Sequence, residues 1–260
     1  MASLRKHNRN IAGHIILITW SLFVLFPFWT MVKPKAWNFI NYYKVLMDVN
    51  FLIYLRNSFI VVTLSLSLLL ITSSLAAYAL AYWSSRFSKS LYFFFIAGMM
   101  LPIKIASIRI LELIRFLGLE NTIWSLIPVY IAMGLPVSVF ILTVFIRQIP
   151  DELIEAAIID GASRFRIFTT VLLPLLKPAL ATTAIYNLIP FWNDLWFPLI
   201  FIKDDSATTL FLGLTRLFDQ YHTDWPILLA GMTLSAIPVI ILYLLMSKQF
   251  IQARRAILHS

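Results

Sequence analysis

Runs of about twenty apolar residues recur along this chain, and no other feature limits its fold so strongly. A helix needs roughly 20 mostly apolar residues to cross the hydrocarbon core of a bilayer. Five runs meet that length, at 11–32, 57–82, 121–146, 179–202 and 225–247, the fourth of them interrupted by Asp194. A sixth starts at "SLYFFFIAGMMLPI" and reaches 90–108 if the Lys104 side chain snorkels to the interface. The expectation is an all-α membrane protein, one transmembrane domain over 1–260 with six transmembrane helices. The first run exceeds the roughly 7–15 residues of a secretory h-region, and no small-residue cleavage site follows it. It therefore reads as a retained anchor.

Charge decides orientation. Six crossings put both ends on one side, together with 83–90 and 147–178. That side holds twelve of the 21 lysines and arginines, so it is assigned to the cytoplasm. The basic residues are not massed among aromatics, and with 60% hydrophobic and 13% charged residues a nucleic-acid partner is excluded. There is no cysteine, which removes disulfides and thiolate metal sites. On the outer side, Arg109, Glu112 and Arg115 are spaced three apart beside Ile108, Leu111 and Ile114. This pattern gives an amphipathic helix that lies at the interface or against a partner.

The 147–178 segment turns polar in the middle of an apolar chain. Pro150 followed by Asp151 and Glu152 starts a helix, with two carboxylates at the positive end of the macrodipole. Gly161 suits a stop in the left-handed region. Ser163 can cap a second helix on which Phe165, Phe168 and Leu172 share a face. Pro174 and Pro178 end that helix and return the chain to the membrane. The segment thus reads as a cytoplasmic helix-turn-helix. Its first helix is slim at Ala156 and Ala157, carries Glu155, and is the size of a rod that fits another protein's groove. Two such helices also fit a simple cover over the bundle ends, and the residues alone leave both readings open.

The stretch "EAAIIDGASRFRIFTTVLLP" resembles the signature of binding-protein-dependent ABC transporter permeases. Glu155, Ala156, Ala157, Gly161, Val171, Leu173 and Pro174 fall at the signature spacing, with Val171 where isoleucine is usual. "RNSFIVVTLSLSLLLITSSLAAYALAYW", "FWNDLWFPLIF" and "TDWPILLAGMTLSAIPVIILYLL" are similar to the shorter, six-span partner of the maltose-type carbohydrate permease pair. The likeness runs from about Arg56 to Phe250. The short outer stretch between the first two spans and the tail "FIQARRAILHS" depart from that group. The resemblance implies a bacterial inner-membrane subunit with both termini cytoplasmic. It also implies a coupling loop that sits in a cleft of a separate ATPase through Glu155, Ala156, Ala157, Asp160, Gly161 and Phe165. The implied partners are a second permease subunit forming a heterodimer, a pair of ATP-binding cassette subunits and an extracytoplasmic substrate-binding protein that delivers a carbohydrate. ATP and magnesium would belong to the ATPase, with no cofactor bound by this chain.

The residues agree that this chain does not burn nucleotide itself. No G-x-x-x-x-G-K-[ST] loop occurs, and the seven glycines form no phosphate cradle. His7, His14, His222 and His259 lie at ends or loops, and no metal-ligand spacing is seen. No enzyme active site is expected.

For the substrate path, the fifth span offers Phe191, Trp192, Asn193, Asp194 and Trp196. Pro190 and Pro198 are each expected to free a backbone carbonyl nearby. Aromatic faces beside amide and carboxylate groups suit a sugar. An aromatic belt with Asp194 near the headgroups fits the same residues. Gly134 and Pro136 in the fourth span mark either a path-lining irregularity or a packing kink. The acidic loop with Asp204, Asp205, Asp219 and Asp224 resembles the outer loop that approaches the binding protein. The function expected is the permease subunit of an ATP-driven carbohydrate importer. The rival is a secondary transporter or channel using Asp194 for a proton or ion, although the inverted repeats of that class are not seen.

Overall fold

The computed structural model describes residues 2–31, 38–48, 50–83, 85–217 and 224–258, and every regular element among them is helical. In chain order these are α1 (Ala2–Met31), α2 (Phe39–Asp48), α3 (Phe51–Tyr82), α4 (Arg86–Met100), α5 (Ser107–Phe116) and α6 (Leu126–Ile146). They continue with α7 (Asp151–Ile159), α8 (Arg164–Arg166), α9 (Leu173–Leu175), α10 (Lys177–Trp192), α11 (Trp196–Phe201), α12 (Leu210–Thr215) and α13 (Trp225–Leu258). Asp219, His222 and His259 lie outside the described residues.

The chain divides into two compact units. One comprises Met1–Phe51 and Arg216–Leu234, the other Leu52–Thr215 and Ser235–Ser260. All the candidate site residues fall in the second unit.

Three helical stretches, Phe51–Tyr82, Ile123–Ile146 and Trp225–Leu244, are continuous, long and apolar enough to cross a bilayer. Two further pairs qualify only as bent combinations, Arg86–Met100 with Ile103–Phe116 and Arg164–Leu175 with Lys177–Trp192. The described apolar stretch of α1, Gly13–Phe26, is shorter than a crossing needs. Among the described residues, length and composition therefore give three crossings, or up to five if each bent pair counts as one.

The expected continuous helix over 90–108 is corrected by Pro102. Proline has no N–H to continue the ladder, and it pushes the residue before it toward extended backbone. Leu101 accordingly sits at φ −86° and ψ 121°. A 3-10 turn at Ile103–Ala106 leads into α5, and the chain bends by 83° across the break. Lys104 does not extend a straight span. Its ammonium lies 5.7 Å from the centre of the Trp196 ring.

The expected outer amphipathic helix is α5. Arg109 pairs with Glu112 at 2.8 Å and Arg115 with Glu120 at 2.9 Å. The Arg115 guanidinium holds the Glu120 carboxyl below the usual carboxylate range. Ile114 is buried, while Ile108 and Phe116 are exposed on a face the second unit leaves uncovered.

Within the second unit, α3, α6 and α10 share a core of Ala77, Leu142, Ile146, Leu176 and Ala179. Ser58 accepts from the Leu210 backbone N–H at 2.8 Å, and the Asn57 amide donates to the carbonyls of Ser206 and Thr208 at 2.8 and 3.0 Å. These bonds tie the 204–215 stretch to the start of α3. Asn121, at φ 62°, closes the other side: its side-chain oxygen accepts from the backbone N–H groups of Lys203 and Asp204, each at 2.7 Å.

Candidate functional site

The 147–178 segment folds largely as its local chemistry dictates. Pro150 precedes α7, and Asp151 and Glu152 occupy its first turn. Gly161 sits at φ +74°. Its N–H donates to Ile158 and that of Ala162 to Ala157, the paired bonds of a Schellman stop. The Ser163 hydroxyl then accepts from the Arg166 N–H at 3.3 Å and caps the second helix.

That second helix is not a plain α-helix. After α8 it widens to i→i+5 bonding over Ile167–Leu172 before α9 resumes. Pro174 has no N–H to offer, and the hydroxyls of Thr169 and Thr170 bond back to the carbonyls of Phe165 and Arg166. A wide turn advances less per residue than an α turn, so Phe165 separates from the face it was expected to share with Phe168 and Leu172. Phe168 and Leu172 are buried, whereas Phe165 is 72% exposed. At Leu176 the chain bends by 72° into α10, which carries Pro178 in its first turn.

The inner side of the segment has its own core of Ile154, Ile167 and Leu172, against which Tyr78 and Tyr82 of α3 pack. A cavity of about 500 Å³ remains between the end of α3 (Tyr78, Tyr82, Trp83) and Ile158, Ser163 and Arg164 of the segment. The outer side presents Glu155, Ala156, Asp160 and Gly161 to solvent, with Ala157 half-buried. Ile158 and Ile159 are exposed beside them, Ile159 at 85%. A short helix with a capped stop, a charge and bare aliphatic side chains is thus backed by a small apolar core and left open in front.

The fifth-span candidates are arranged differently from a sugar platform. α10 ends at Trp192, and residues 193–195 separate it from α11. Phe191 and Trp192 point inward, 3% and 4% exposed. Phe191 stacks on Tyr130 at 4.8 Å between ring centres, and the Trp192 indole N–H donates to the Ser235 carbonyl at 3.3 Å. Asn193 is exposed. Asp194 is occupied. One carboxylate oxygen accepts from the Trp196 N–H at 3.2 Å, the other from the Phe197 N–H at 3.2 Å and the Tyr130 hydroxyl at 3.1 Å. It caps α11 and ties that helix to α6.

Trp196 continues this knot. Its indole N–H donates to the Ser107 hydroxyl at 2.7 Å, so the break in the fifth-span region meets the break after Pro102. Pro198 lies within the first turn of α11, where backbone N–H groups have no intrahelical partner anyway, so it frees no helix carbonyl. Only Pro190, inside α10, acts as expected.

Gly134 is buried between helices. A Cβ there would stand 2.6 Å from Asn187 Oδ1 and 2.6 Å from Leu69 Cδ2, so glycine lets α3, α6 and α10 approach. The Asn187 amide donates to Ser138 Oγ at 3.1 Å, and Ser138 donates to the Gly134 carbonyl at 2.7 Å. The structure gives this glycine a packing reason. Pro136 faces the opposite way, onto Gly98 and an apolar groove that also includes Leu101 and Pro102.

Sequence reasoning missed Tyr78, Trp83, Arg164, Tyr130 and Ser107. A tyrosine or tryptophan near a span end looks like any interfacial aromatic, and a lone serine at a helix start carries no signal of its distant partner.

Helices broken at prolines and at a capping aspartate, around a packed core and beneath an exposed two-helix segment, are the build of a multi-pass membrane permease. Residues 69–255 match the family of inner membrane components of binding-protein-dependent transport systems, and the chain belongs to it. It is 37% identical to a putative ABC transporter permease of Caldicellulosiruptor sp., over 93% of this chain and 94% of that protein. It is also 37% identical to a trehalose/maltose transport system permease of Thermococcus litoralis, over 83% of this chain and 79% of the other. A diacetylchitobiose uptake system permease of Streptomyces coelicolor is 31% identical over 89% and 82%. Among solved structures, a bacterial ABC transporter that imports the acidic polysaccharide alginate superposes with a TM-score of 0.80 at 22% identity, over 93% of this chain and 96% of that one.

Proposed function

We propose that this chain is one transmembrane subunit of an ATP-driven importer for a carbohydrate delivered by a substrate-binding protein. Its six crossings would include the two bent pairs and α1, with both termini and the 147–178 segment in the cytoplasm. The segment acts as the coupling loop. α7 seats in a cleft of a separate ATPase, and closure of the two ATPases draws this loop and that of a second permease subunit together. The carrying observation is α7 itself, with Glu155, Ala156 and Asp160 open to solvent and Gly161 at φ +74°. Phe165 and Ile159 supply the exposed apolar contacts that such a seat would cover. The carbohydrate assignment is supported by relatives described as permeases for trehalose/maltose and diacetylchitobiose.

The transport step is a shift between two conformations that nucleotide stabilises unequally. A loop that flexed freely would lose the displacement, and a segment with its own buried core does not flex freely. ATP and magnesium act on the ATPase, and this chain contributes the path and the joint. The rival reading, an ion or proton site at Asp194, is disfavoured because that carboxylate already accepts three hydrogen bonds.

The test replaces Glu155→Lys and Gly161→Val in the complete transporter and follows co-purification of the ATPase together with sugar uptake. Both should fall at normal membrane levels of the chain. Unchanged docking and uptake in both variants would remove α7 from the joint.

A further inference from the structure

The loop has two obvious outlets for any displacement, α6 before it and α10 after it, because the chain connects them directly. A third outlet is distant in sequence. The Tyr78 hydroxyl, on the last turns of α3, donates to the Arg164 backbone carbonyl at 3.3 Å. The guanidinium of the same Arg164 lies 5.5 Å from the centre of the Trp83 ring, just past the end of α3. The Tyr78 ring stands 5.5 Å from Phe168 and 5.4 Å from Tyr82. Behind these contacts lies the apolar core of Ile154, Ile167 and Leu172.

Apolar contacts hold the two surfaces together but are non-directional. A hydrogen bond and a cation over a ring face are directional and fix register. Arg164 makes both, one through its backbone and one through its side chain, and it follows directly on the Ser163 cap. Trp83 is half exposed, so water weakens the pair in the isolated chain. A protein seated over the loop would exclude that water and tighten it.

We infer that Arg164 is a positioning residue that clamps the end of α3 through Trp83 and Tyr78, making α3 and the 151–175 segment one rigid body. Displacement of the loop then leaves through α3 as well as through α6 and α10. This rests on the coupling-loop reading and adds to it which helix is driven.

The chain has no cysteine, so spin labels can be placed at Thr72→Cys on α3 and Arg166→Cys on the loop, both solvent- or lipid-facing. The probe is the purified transporter with its ATPases, the other subunits freed of cysteine, compared without nucleotide and trapped with ATP and vanadate. With Arg164 and Trp83 intact, the label distance should be the same in both states. In Arg164→Ala and Trp83→Ala it should broaden and shift on trapping while the ATPase stays bound and hydrolyses ATP, and uptake per ATP should drop several-fold. Arg164→Lys and Trp83→Phe, which keep cation and ring, should restore the single distance. A merely structural role would lower membrane level and hydrolysis together and would not be rescued selectively. The inference is overturned if the distance changes with the clamp intact, or if the two alanine variants keep one distance and full coupling. Failure of the coupling reading shows separately, as ATPase that remains bound to Gly161→Val with uptake intact, and it removes this inference too.

Discussion

Replacing Asp194 separates a structural carboxylate from one that handles cargo or protons. In Asp194→Ala the N–H groups of Trp196 and Phe197 lose their acceptor, and the buried Tyr130 hydroxyl loses its own. Loss of a helix cap costs about 0.5–2 kcal/mol. A buried hydroxyl left unpaired costs about 1–3 kcal/mol. The expected loss is therefore about 1.5–5 kcal/mol. Asp194→Asn keeps one oxygen acceptor and should lose about 1 kcal/mol. Tyr130→Phe removes only the interhelical bond, and such bonds in membrane proteins average ~0.6 kcal/mol and reach ~1.7. The assay is thermal unfolding of the purified transporter, with uptake measured in parallel. At about 2–4 °C per kcal/mol for a chain of this size, Asp194→Ala should lower the midpoint on the order of 10 °C. The other two variants should move it by only a few degrees. Uptake should track stability in all three. If Asp194→Ala melts with the parent yet abolishes uptake, the carboxylate serves cargo or protons and the capping argument is wrong. The same holds if Asp194→Asn proves worse than Asp194→Ala.

Gly134→Ala forces a methyl against Asn187 and Leu69; overpacking of this kind costs about 1–3 kcal/mol, and the thermal midpoint should fall. Gly161→Ala places a Cβ at φ +74° with open space around it, so the strain of about 1–2 kcal/mol falls on the turn alone. Limited proteolysis should then cut at the turn while overall melting changes little. Asn57→Ala leaves the Ser206 and Thr208 carbonyls without their donor, and hydrogen exchange over 204–215 should rise with no change at α7. Asn121→Gly, which tolerates φ 62°, still loses the acceptor for Lys203 and Asp204; exchange there should rise as much as in Asn121→Ala, showing that the side-chain oxygen, not the backbone preference, holds the loop.

Much of the local structure was legible in the chain. The break at Leu101-Pro102 was not among the features read from the chain, because Pro136, Pro190 and Pro238 stay inside α6, α10 and α13 and residue type alone does not say which proline ends a helix. The turn at Gly161 and the cap at Ser163 depend on neighbours within five residues, and spacing alone located them. The wide turn over Ile167–Leu172 was not legible, since it depends on how Pro174 and the two threonines redistribute carbonyls. For the same reason the expected face shared by Phe165, Phe168 and Leu172 did not survive. Among the candidate site residues, the open side of α7 follows from polarity. The inward turn of Phe191 and Trp192 does not.

Sequence by itself determined that this chain is helical, that it belongs in lipid, and where the turn at Gly161 and the cap at Ser163 fall. Those outcomes rest on backbone hydrogen bonding and the transfer of apolar runs out of water, both of which are local. The tertiary structure alone decided that Asp194 finds Tyr130, that Trp196 finds Ser107, and that Arg164 lies over Trp83. It also decided that Phe197 is fully buried while Phe94 is 70% exposed. The reason is that lipid tails and a packed protein interior are equally apolar. Hydrophobic pattern then marks a residue as out of water without saying whether its neighbour is an acyl chain or another helix.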